Sequence, residues 1–120
     1  MIELTQEGVA PSLRTVRIVL HDASDVATLV SVCVALGRGV KDQVDLAGMP
    51  GFTIRDFSAF LLGITSKLRF ERVSLTPDAR ATWLKTRDGW LEAAELVGAL
   101  TVASHQYLDH GDISVEVERL

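Results

Sequence analysis

The sequence predicts a single α+β domain over residues 1–120, built as a four-stranded, mainly antiparallel sheet with helices on one face. Three observations carry that expectation. Residues 14–20 and 112–119 alternate apolar and polar side chains, the period of half-buried strands. Residues 71–76 and 81–86 are strand-like runs on either side of the turn Thr76-Pro77-Asp78-Ala79, a connection short enough for antiparallel pairing. Residues 53–68 and 90–108 carry apolar side chains at helical spacing.

Taken in order, the first strand sets Val16, Ile18 and Leu20 on one face and Thr15 and Arg17 on the other. The stretch Asp22-Ala23-Ser24-Asp25 offers helix-capping chemistry. After it, Val26, Leu29, Val30, Cys33 and Leu36 repeat at helical spacing, and Gly37 stands where a helix would end. The alternating β-branched residues Thr28, Val30, Val32 and Val34 keep a competing strand reading open, which would make residues 14–35 a hairpin. Residues 37–51, with Gly37, Gly39, Gly48, Pro50 and Gly51, read as a loop with a short helical turn. Thr53 and Asp56 at capping-box spacing, with Phe52 and Phe57 as a hydrophobic staple, open a helix striped by Ile54, Phe57, Leu61, Ile64 and Leu68. A further helix over 90–108 sets Trp90, Ala93, Leu96, Val97, Leu100, Ala103 and Tyr107 on one face and stops at Gly111. Leu61 and Leu100, mid-stripe, are expected in the core. The final strand turns Ile113, Val115 and Val117 inward, and Ser114, Glu116 and Glu118 outward.

The resulting β-α-(α)-β-β-α-β order resembles the ferredoxin-like arrangement, a likeness of element order alone, and order does not imply function.

Composition narrows the function classes. Hydrophobic residues make up 48% and charged residues 23%, enough apolar surface for a folded core. The longest apolar runs, 26–36 and 57–64, are too short to span a bilayer, and no targeting segment is visible, so a cytoplasmic domain without a membrane partner is expected. The one cysteine, Cys33, lies among apolar neighbours and reads as a buried thiol. Net charge is −4 but uneven: −2 over residues 1–66, +4 over 67–87 and −6 over 88–120. Overall acidity argues against nucleic acid, although Lys67, Arg69, Arg72, Arg80, Lys85 and Arg87, with Trp83 as a stacking ring, would be the phosphate-binding surface if there were one.

Phosphate-loop, dinucleotide and nucleophile-elbow motifs are absent, and no cofactor is expected. His105 and Asp109 share a face of the predicted helix, with His110 beside them and His21 at the end of the first strand. They are the candidate metal, ligand or catalytic residues, but lack a recognised ligand spacing, so no metal is expected. The leading expectation is a non-enzymatic protein-binding module of antitoxin, immunity or inhibitor type. Its contact residues would be Glu116, Glu118, Arg72, Lys85 and Trp83, and its partner another protein or a second copy. In a homodimer the basic hairpin would meet the acidic final strand, twice by symmetry. The mean hydropathy of +0.24 adds to that expectation, since some apolar surface would remain to be covered.

Overall fold

A computed structural model describes residues 1–10 and 13–120, with the backbone alone for residues 9, 10 and 13. Among the described residues the order is β1 (Ile2–Ala10), β2 (Leu13–Leu20), α1 (Ala23–Gly37), β3 (Gln43–Asp45), β4 (Phe52–Ile54), β5 (Ala59–Ile64), β6 (Arg72–Leu75), β7 (Arg80–Lys85), α2 (Arg87–Gly98), β8 (Ser104–Asp109) and β9 (Ile113–Arg119). Short 3-10 turns follow β3 at Leu46–Gly48 and precede β6 at Leu68–Phe70.

The strands form two mixed sheets instead of one antiparallel sheet of four. The first runs β4-β1-β2-β9-β8, and the second β3-β5-β7-β6. In the first, β1 pairs antiparallel with β2 and β8 with β9, while β1 with β4 and β2 with β9 are parallel. In the second, β5 and β7 are parallel at the centre, with β3 and β6 antiparallel at the edges. The ferredoxin-like order is thereby corrected. The strand β1 precedes it, and the predicted helix over 53–68 is two strands and a turn.

Local chemistry explains the elements. Ile2 and Leu4 alternate with Glu3 and Thr5, Val16, Ile18 and Leu20 with Arg17 and Val19, and Val115 and Val117 with Glu116 and Glu118. The first of each set are buried. Asp22 caps α1 by accepting from Asp25 N at 2.8 Å, and residues 26–36 are helical. Thr86 caps α2 in the same way, its Oγ1 accepting from Gly89 N at 3.0 Å. Where a helix was predicted over 53–68, Asp56 takes a left-handed φ of 65° and breaks any such run. The apolar stretch that follows is the strand β5, flanked by β3 and β7, with Phe60 and Leu62 on its inner face and the apolar Ala59 and Leu61 on its outer one, so it shows no alternation. The helix predicted over 90–108 ends at Gly98. Thr101 and Val102 are β-branched, Ala103 has a φ of 61°, and pairing with β9 claims residues 104–109.

The inner faces of both sheets and both helices close over one core. Trp83 from β7 meets Trp90 from α2 edge-on at 4.8 Å, and Trp90 Nε1 donates to the Gly63 carbonyl at 2.8 Å. Leu100 is buried as expected, but Leu61 lies half-buried on the outer face of β5. No helix among the described residues is long and apolar enough to cross a membrane.

Candidate protein-binding face

Strand register lays the outer face of the first sheet out in rows. One row reads Thr53, Glu3, Val19, Glu118, His105, the next Thr5, Arg17, Glu116, Tyr107, and a third Glu7, Thr15, Ser114. Arg17, near the middle, is the hub. Its Nη1 donates to Glu7 at 2.9 Å, its Nη2 donates to Glu118, and its Nε lies 3.5 Å from Glu116 as an ion pair without hydrogen-bond geometry. The hydrogen bond to Glu7, aided by the charges of Glu7 and Glu118, raises the Arg17 pKa above its usual value. At one flank Glu3 accepts from Arg55 at 3.1 Å and pairs with His21 Nε2 at 3.1 Å. At the other, Tyr107 hydrogen-bonds Glu116, which pushes the phenol above its usual pKa, and stacks on His110 at 5.1 Å. Glu3, Glu7, Glu116 and Glu118 outnumber Arg17 and Arg55, so carboxylates dominate the charge of the face.

A second cluster lies inside. Lys85 is 7% exposed. Its ammonium donates to the Leu108 carbonyl at 3.3 Å and to Asp109 at 3.5 Å, and lies 3.9 Å from Glu71. Asp109 also accepts from Trp83 Nε1 at 3.0 Å, and Glu71 accepts from Thr86 N and Oγ1 at 2.8 and 2.9 Å. These bonds tie the end of β7 to β8, and the approach to β6 to the start of α2. A cleft of about 230 Å³ opens beside them, lined by Glu71, Lys85, Glu92, Asp109 and His110 among others. Within it Glu71, Lys85 and Asp109 are satisfied by one another.

The residues expected at the site therefore divide. Glu116 and Glu118 do face outward. Trp83, at 1% exposure, and Lys85 point into the core and are unable to meet a partner, because Ala81, Trp83 and Lys85 share the inner side of β7. Arg72 is exposed on edge strand β6. The basic hairpin presents no continuous surface, since Lys85 is internal and Arg87 donates to Asp42 at 2.8 Å and to the Leu36 carbonyl at 2.9 Å. The histidine constellation does not assemble. His105 and Asp109 sit on a strand, not a helix, and a register shift between Tyr107 and Asp109 turns Asp109 inward while His105 stays outside. His21 follows β2 and reaches the other way, to Glu3 of β1, while His105 lies on β8, with β9 between β2 and β8. No three His, Cys, Asp or Glu side chains among the described residues are grouped as a metal site requires.

The face residues that sequence reasoning left out are Glu3, Glu7, Arg17, Arg55 and Tyr107. The alternation in Ile2-Glu3-Leu4-Thr5 is the signal that marks β1 as a half-buried strand and would have found the first two. The fold and the face together describe a small two-sheet α+β domain with an acidic, arginine-centred sheet surface. Compared with known protein families, curated proteins and solved structures, the chain matches none.

Proposed function

We propose that the chain is a non-enzymatic, cytoplasmic protein-binding module of the antitoxin, immunity or inhibitor kind. On this reading it presents the outer face of the first sheet to a basic surface of another protein. The observation that supports it most is the Arg17 hub. Two strands, β1 and β9, contribute three carboxylates to one guanidinium, which holds Glu7, Glu116 and Glu118 in fixed positions and leaves the surrounding face net negative. Preorganised charge of this sort sets orientation and association rate, and costs little ordering on binding. A separate partner fits better than the symmetric dimer, because Lys85, one of the cations that dimer would use, is consumed inside the fold. An enzyme built on His21, His105, Asp109 and His110 draws no support, because Asp109 is engaged by Trp83 and Lys85 inside the fold while His105 faces outward and His21 pairs with Glu3.

The test is capture from native lysate on three immobilised forms: the unaltered chain, Glu116→Lys/Glu118→Lys, and Arg80→Glu as a control on the second sheet. A protein retained by the first and third but lost from the second is the expected result. Equal retention on all three would exclude this face.

A further inference from the structure

One end of the molecule carries the opposite chemistry. Two turns are each tied to the start of α2. The first, residues 38–41, leaves α1, and the second, residues 67–70, leads to β6. Arg87 straps the first down by bridging the Leu36 carbonyl and Asp42. Glu71 straps the second down through Thr86, the neighbour of Arg87. Backbone hydrogen bonds brace both: Val40 N and Lys41 N donate to the Ala35 carbonyl, and Phe70 N donates to that of Lys67.

These braced turns hold apolar side chains out in solvent. Val40 and Leu68 are each 74% exposed and Phe70 is 42% exposed. Around them stand Arg38, Lys41, Lys67, Arg69 and Arg72, all exposed, and among the described residues none of the five makes an ion pair. Arg69 instead lies over the Phe70 ring at 4.9 Å. Elsewhere Arg17, Arg55, Lys85 and Arg87 are paired with carboxylates, while Arg14, Arg80 and Arg119 stand singly without an ion pair among the described residues.

We propose that this end docks onto an anionic lipid surface. Separate turns that push single apolar tips outward between unpaired cations suit a fluid interface, which takes up Leu68, Phe70 and Val40 among headgroups while the cations meet lipid phosphates and carboxylates. A protein partner would need a matching hollow for each tip. Nucleic acid would leave Val40 and Leu68 without a contact, since phosphates offer nothing to an aliphatic side chain. Membrane spanning is not involved, so the short apolar runs are no obstacle. Sequence reasoning expected no membrane partner because it looked for a span. The docking end shares no residue with the acidic sheet face, so the two surfaces could be used together.

Sedimentation with vesicles tests the proposal. The full chain is mixed with vesicles of phosphatidylserine and phosphatidylcholine, with phosphatidylcholine alone, and with a single-stranded oligonucleotide. Binding to the anionic vesicles alone is expected. Each cation near such a surface contributes about a fivefold factor, so Lys67→Gln/Arg69→Gln/Arg72→Gln should weaken binding about a hundredfold. Leu68→Ser/Phe70→Ser should weaken it about tenfold or more. These side chains are exposed, so both variants should keep the circular-dichroism melt of the parent. No sedimentation with anionic vesicles, equal binding to neutral ones, preference for the oligonucleotide, or binding unchanged in both variants would each overturn the proposal.

Discussion

Burial pushes the Cys33 thiol up from 9.0 to about 12, against a smaller opposing effect of the Lys85 charge. The folded state therefore keeps a proton that the unfolded chain gives up. That contribution to stability is complete below the unfolded value and is lost as pH rises from about 9 toward 12. Urea midpoints measured across this range should fall for the parent and fall less for Cys33→Ala. In the native state at pH 8 the thiol should resist alkylation, and it should react at once in denaturant. A buried thiol was legible from the apolar neighbours of Cys33. The burial of Lys85 was not. Alternation puts Lys85 on the face of Trp83, but which face is inner depends on Glu71 and Asp109 arriving from other segments. A lone lysine in a strand otherwise reads as surface.

Among the elements, the capped ones are where sequence reasoning worked. Asp22 begins α1, and the alternation of residues 113–119 gives β9 its inner and outer faces, whereas α2 starts at its Thr86 cap, three residues before the expected Trp90. It failed where apolar spacing satisfied two periods. Ile54, Phe57, Leu61 and Ile64 fit a helical stripe, yet β5 carries apolar residues on both faces and so shows no strand alternation to set against it. Leu100, Ala103 and Tyr107 likewise continue the stripe of α2 after its backbone has stopped. Gly89 gives a test of opposite sign. Helix propensity alone expects Gly89→Ala to stabilise α2 by about 1 kcal/mol. A Cβ there would stand 2.2 Å from a Glu71 carboxylate oxygen and 3.1 Å from Thr86 Oγ1. The substitution should therefore displace Glu71 from Thr86 and cost about 1–3 kcal/mol, the range for leaving a buried polar group unpaired. Chemical denaturation decides the sign.

At the scale of the molecule, the topology was the least legible part. Parallel pairing of β2 with β9 joins residues 14–20 to residues 113–119, and no local signal reports a partner so far along the chain. The two sheets follow from such long-range pairings, and so does the split of charge between an acidic sheet face and a basic end. The acidic outer face of β9 was readable from Ser114, Glu116 and Glu118. The Arg17 hub that organises it was not, because its carboxylates come from β1 and β9. The reading of that face as the partner surface is tested most directly by site-specific photocrosslinking in native cells. One photoreactive residue replaces Ser114, in the row with Glu7 and Thr15, and another replaces Ser74, paired with Thr82 on the outer side of the second sheet. A discrete adduct with a second protein from position 114 and none from position 74 is the expected result, whereas an adduct from position 74 alone, or from neither, would contradict it.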